Sequence, residues 1–197
     1  TATGAEEASR PDTVGRIIRA VSTNGVAGQT VTVPIVLESQ GNEASISYTI
    51  TFPQATLSNP VVALGTGVPS GTTFGLNTSQ VAAGRLGVLV ATGNAYAAGT
   101  RQMITVTFNI APGATPGSYP VAFTNTPVNQ SVSAAVGGTI FTDVTYEPGN
   151  VVLVTTAAGV RVSGRVRAPN GQGLRNATVV MTDSEGNRRT AVTSSFG

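Results

Sequence analysis

The chain has 197 residues, a formal net charge of +2 and neither His nor Cys, and because it also lacks Lys all eleven basic side chains are Arg. That inventory excludes Cys- and His-ligated metal centres, and it removes the His or Lys base on which most nucleophilic hydrolysis depends. The pI of about 9.5 arises because only the amino terminus titrates between the carboxylates and Tyr, so it is no sign of nucleic acid.

In chain order, residues 1–14 are small and polar and read as a flexible arm. A start of this kind suits a mature terminus left by signal removal and a cut piece equally. From residue 15 the dominant signal is alternation with period two, punctuated by Gly, Pro and Asn. In VTVPIVL the pattern turns Val31, Val33, Ile35 and Leu37 to one side and Thr32 and Pro34 to the other. Pro34 then belongs on a sheet edge or where the ladder needs no donor. SISYTITF sends Ile46, Tyr48, Ile50 and Phe52 inward against Ser45, Ser47, Thr49 and Thr51, and MITVTFNI sends Ile104, Val106, Phe108 and Ile110 inward against Thr105, Thr107 and Asn109. Shorter runs such as GRIIRAVS, LSNPVVAL, TFGLNT, RLGVLVAT, SYPVAFT, NQSVSAAV, TIFTDVTY and NVVLVTT recur at sandwich spacing, and no stretch carries a helical period.

Between Ala44 and Thr142 the only charged residues are Arg85 and Arg101, so the outer faces are built of Ser, Thr, Asn, Gln and Gly. No apolar run reaches the ~20 residues of a membrane helix. After a linker at 155–159 the character changes: from Val160 onward six Arg face only Asp183 and Glu185. This tail reads as three strands, VRVSGRVR, ATVVMT and RRTAVTS, joined by turns at Asn170–Gly171 and in DSEGN.

The stretch GQTVTVPIVLESQGNEASISYTITFPQATL, with the later GVLVATGNAYAAGTRQMITVTFNI and GTIFTDVTYEPGNVVL, resembles a cohesin domain over residues 15–154. The resemblance implies a nine-stranded, jelly-roll-like β-sandwich that docks dockerins through one sheet face. The tail, residues 160–197, is similar to a carboxypeptidase regulatory-like domain, on Gly164 between Val162 and Val166, the turn at Asn170–Gly173, the strand Ala177–Thr182 and the run to Phe196 and Gly197. The expected fold is therefore all-β: a cohesin-like sandwich followed by an incomplete Ig-like or prealbumin-like β-module. Three strands cannot close a sandwich. Either the domain runs on past Gly197, or the tail packs on the first domain, or a strand from another copy completes it.

The functional expectation is a non-enzymatic, extracellular or cell-surface structural protein without cofactor or metal, whose partners are proteins. The preferred version is a homo-oligomer that assembles into filaments through β-strand contacts. Val14, Ile17, Ile18 and Val21 form the strand to be donated in that version, and Val160, Val162, Val166, Val179, Met181 and Val192 line the acceptor strands. Two alternatives stand beside it: a cohesin that binds a dockerin-bearing partner, and an accessory region of a larger secreted hydrolase. The carboxylate pairs Glu38/Glu43 and Asp143/Glu147 read as strand ends rather than as glycosidase acids.

Overall fold

The computed structural model describes residues 15–135, 137–155, 163–182 and 186–194. It divides into two compact units, Thr1–Thr156 and Ala157–Gly197. The first unit strings together β1 (Arg16–Ala20), β2 (Thr23–Gly25), β3 (Thr30–Ser39), β4 (Glu43–Thr51), β5 (Leu57–Leu64), β6 (Thr73–Asn77), β7 (Arg85–Ala91), β8 (Gly99–Ile110), β9 (Gly117–Thr124), β10 (Ser131–Ala134), β11 (Val144–Glu147) and β12 (Gly149–Leu153). They form a smaller, five-stranded sheet in the order β11-β1-β3-β8-β5 and a larger, seven-stranded sheet in the order β2-β12-β9-β4-β7-β6, with β10 also paired to β4.

Alternation in the sequence becomes burial in the structure. Each residue the pattern turned inward on β3, on β8 and from Ile46 to Phe52 is buried, and together they make the heart of one continuous apolar core with Leu86, Val88, Val90, Val121 and Val151. Each such side chain contributes roughly 1.5–3 kcal/mol on leaving water. Pro34 lies in the central strand of the smaller sheet. Its carbonyl accepts from Val21 N at 2.9 Å, just past the end of β1, so its missing donor faces the place where that ladder runs out.

Two strands of the smaller sheet run on directly into strands of the larger. The chain leaves β1 at Ala20 and enters β2 at Thr23 in the other sheet; likewise β11 in the smaller sheet passes through Pro148 into β12 in the larger. The switch needs close backbone approach, because a Cβ on Gly149 would stand 2.2 Å from the Ala20 carbonyl oxygen. These crossings stitch one side of the sandwich shut and leave β5 and β6 as edge strands at the other. TIFTDVTY supplies a strand only from Val144 on; Ile140 makes a single bridge to Ser133 and is 64% exposed.

In the second unit β13 (Thr178–Thr182) pairs antiparallel with β14 (Arg188–Val192). The first of the three expected tail strands forms no ladder among the described residues. Leu174 N donates to Val166 O at 2.9 Å and Arg167 bridges Gly173, so this segment folds back on its own Asn170–Gly171 turn instead of pairing with β13. Residues 156–162, 183–185 and 195–197, which hold part of the linker, Val160, Val162, most of the DSEGN turn and Phe196, lie outside the described residues, as does the arm 1–14.

Candidate functional site

The outward faces of the two sheets differ in chemistry. On the smaller sheet Arg19 bridges Glu38 at 2.9 Å and Glu147 at 3.4 Å, and Thr100 donates to Glu38 at 2.7 Å. Thr32 and Thr107 share a 2.8 Å hydroxyl contact farther along. The larger sheet turns outward Ser45, Ser47, Thr49 and Thr51 from β4 beside Ala91, Leu89, Gly87 and Arg85 from β7, in register. Ala122 and Thr124 follow from β9, with Val152 from β12 opposite Ser118. Leu89 is 44% exposed and Val152 36%, and Arg85 is the one charge in this set. At the foot of the face a depression of about 260 Å³ is lined by Thr51, Arg85, Pro120 and Ala122 among others.

Residues 125–130 cross this face. β9 and β10 both pair with the same edge of β4, and the chain between them leaves the ladder, passing through a cis Thr126–Pro127 bond. Thr49 holds it: its hydroxyl accepts from Val128 N and donates to Val128 O, each at 2.8 Å. Ser47 adds a 2.8 Å donation to Asn129 O. Val128 sits over Gly87, where a Cβ would come within 2.4 Å of its Cγ2. Thr49, expected on the wet side, is therefore fully buried. Alternation places it outside the core; only the covering segment, which has no period of its own, removes it from water.

At one end of the sandwich Arg16 gathers three segments. Its Nε lies 2.7 Å from Glu43 Oε1, its Nη1 donates to Asp143 and its Nη2 donates to Asn42 at 2.9 Å, while the guanidinium stacks 3.6 Å over the Phe141 ring. Glu43 is wholly buried and also accepts from Ser39 Oγ and the amides of Gln40, Gly41 and Asn42. Burial by itself raises its pKa, but the Ser39 hydroxyl, the amides and Arg16 outweigh it, so the carboxyl titrates below its ordinary range. The carboxylates of both sequence-level pairs are thus held by arginines, Glu43 and Asp143 by Arg16 and Glu38 and Glu147 by Arg19. Neither pair faces a common cleft, and among the described residues no three acidic side chains cluster as metal ligands.

Residues 18–147 match the cohesin domain. The chain belongs to the cohesin family. No match was found among the curated proteins. Among solved structures this cohesin is similar to the seventh ScaB type I cohesin of Pseudobacteroides cellulosolvens, at 15% identity and a TM-score of 0.62 over 76% of this chain and 99% of that one. It is also similar to the sixth cohesin of Acetivibrio cellulolyticus scaffoldin B, solved with a Cel5 dockerin, at 23% identity and 0.60 over 71% and 99%. A non-cellulosomal cohesin of the archaeon Archaeoglobus fulgidus follows at 16% and 0.57 over 72% and 92%. Cohesins are non-catalytic protein-binding modules, and no described helix of this chain is long and apolar enough to cross a membrane.

Within the cohesin, Ile17 and Ile18 lie on β1 between β3 and β11, with Ile18 only 1% exposed, and Val21 follows the strand. Donating this strand would open the cohesin's own sheet; Val14 is outside the described residues. In the second unit Val166, Val179, Met181 and Val192 come together along one groove of about 500 Å³, with Arg165 and Arg189 on its walls. The nearly neutral face and its covering segment went unseen in the sequence, although the run from Ala44 to Thr142, charged only at Arg85 and Arg101, was their one legible trace.

Proposed function

We propose that this cohesin is an extracellular docking module that holds a dockerin-bearing protein on the outward face of the larger sheet. The observation that carries the reading is the contrast between the two faces. The larger sheet offers a rigid floor of hydroxyls and small apolar groups, with Leu89 and Val152 exposed and Arg85 at one end. Interface centres are poor in charge, so such a floor costs little to dehydrate. The smaller sheet would have to strip water from the Arg19–Glu38–Glu147 cluster. The dockerin bound to the Acetivibrio cellulolyticus cohesin supports the choice of partner class.

The test immobilises the full chain and passes a panel of calcium-loaded dockerins over it. At least one should be retained, and Leu89→Glu should weaken that retention tenfold or more. Retention by none removes the reading, and retention indifferent to Leu89→Glu moves the site off this face.

A second reading, self-assembly into filaments through strand contacts, is favoured by the groove of the second unit. There Arg189 to Ser194 line the wall consecutively, as a free strand edge does, over a floor of Val179 and Met181. Its carboxypeptidase regulatory-like assignment belongs to the same proposal. Electron micrographs of concentrated protein should show polymers; their absence removes it.

A further inference from the structure

The open side of the sandwich ends in two edge strands of different character. On β5 the ladder to β8 shifts between Ser58 and Val61, Asn59 takes φ +49° and Pro60 follows, devices that spoil an edge for further pairing. On β6 nothing of the kind occurs: Thr73–Asn77 pairs residue for residue with β7 and carries no charge and no Pro. Phe74 and Leu76 lie opposite the wholly buried Val90 and Val88, so they face the core side, yet they stay 39% and 42% exposed because no strand lies beyond them. Leu64, at the end of β5 and opposite buried Ile104, is 37% exposed on the same open side.

We infer that β6 is a dimerisation edge, occupied by β6 of a second copy in an antiparallel pair whose two-fold axis passes through Gly75. The sequence is self-complementary in that register. Gly75 meets Gly75 of the second copy, Phe74 meets Leu76, and Thr73 meets Asn77, so apolar falls on apolar and polar on polar throughout. A two-fold contact also brings each residue near its own copy, where any charge meets its like. The edge has none, and from Ala44 to Thr142 only Arg85 and Arg101 are charged. Five residues a side bury far less than the ~1,600 Å² of a stable complex, so the dimer is weak and fills at high protein concentration. The inference is independent of the docking reading, which uses the sheet face and not its edge.

Gly75→Cys tests the register on the full chain. A Cβ there meets no atom within 4 Å, and the chain has no other Cys. Antiparallel partners stand ~4.5–5.5 Å apart at Cα, within disulfide reach. Under mild oxidation Gly75→Cys should form covalent dimer at least tenfold faster than Gly93→Cys, an equally unobstructed loop control. Sedimentation of the unaltered chain should show concentration-dependent dimer that Gly75→Lys abolishes. Phe74→Lys supplies a second charge variant, and circular dichroism verifies that each is folded. Equal cross-linking rates, a chain monomeric to millimolar concentration, or a dimer that survives both charge variants would overturn the inference.

Discussion

The first unit and the second are both built from short strands carrying apolar residues, yet only the first buries them. In the cohesin, β3, β4 and β8 each bury one face against an opposing sheet, and their buried apolar residues come to 0–8% exposure. In the second unit β13 and β14 pair over five residues, but among the described residues none is buried, and Val180, Met181 and Val192 remain 44%, 42% and 65% exposed. Period two specifies a strand with two unlike faces. It buries nothing until a second layer arrives.

The sharpest way to break this contrast is to empty the cohesin core. Phe108→Ala should cost about 3–5 kcal/mol in chemical denaturation, because Phe108 is fully buried and packs 4.9 Å from the Phe52 ring. Hydrogen exchange should then rise across β3, β4 and β8 while β13 and β14 exchange as before; a matching rise there would mean that the units share stability. Next in size, Glu43→Ala removes the buried carboxylate partner of Arg16 and leaves it only the exposed Asp143, and should cost about 3 kcal/mol, read from the denaturation midpoint. The same group sets a pH dependence. Its folded pKa is lowered, so its stabilisation is complete above the ordinary value of 4.5 and is lost as pH falls through the folded pKa. Acid titration of the unaltered chain should show that loss, and Glu43→Gln should flatten it.

A smaller change has the opposite sign. The Tyr48 hydroxyl is buried with no hydrogen-bond partner among the described residues, and burial drives its pKa upward. Tyr48→Phe keeps the edge-on contact with Phe123 and should stabilise by about 1 kcal/mol; a loss of stability would reveal a partner for the hydroxyl. Smallest of all, Val180→Thr on β13 should stay within about 0.5 kcal/mol, since its side chain is already wet. A larger loss would show that β13 has a covering layer after all.

Much of the cohesin was legible because its strands are long and amphipathic. Val31 to Leu37, Ile46 to Phe52 and Ile104 to Ile110 declare their inward faces by spacing alone, and the sandwich follows. The break between TIFTDVTY and NVVLVTT was legible, but the change of sheet there and after Ala20 was not, because a chain that changes sheets keeps its alternation while its partners change. Burial of Thr49 depends on residues 79 positions away, beyond any local pattern. The Arg16–Glu43 pair was hidden for a similar reason: both residues read as surface until the Phe141 ring and the amides around Ser39–Asn42 enclose them. The candidate face left a compositional trace in its missing charges, but strand pairing, which composition does not record, decides which sheet carries it.

One consequence lies in the way the first and last strands run side by side. β1 lies parallel to β11 over four positions and β2 parallel to β12 over three. A pull that draws Arg16 backward and Leu153 forward therefore strains both ladders lengthwise, so their hydrogen bonds carry the load together instead of parting one by one. A module wired in this manner is a shear joint, suited to transmitting tension along a tether without coming apart.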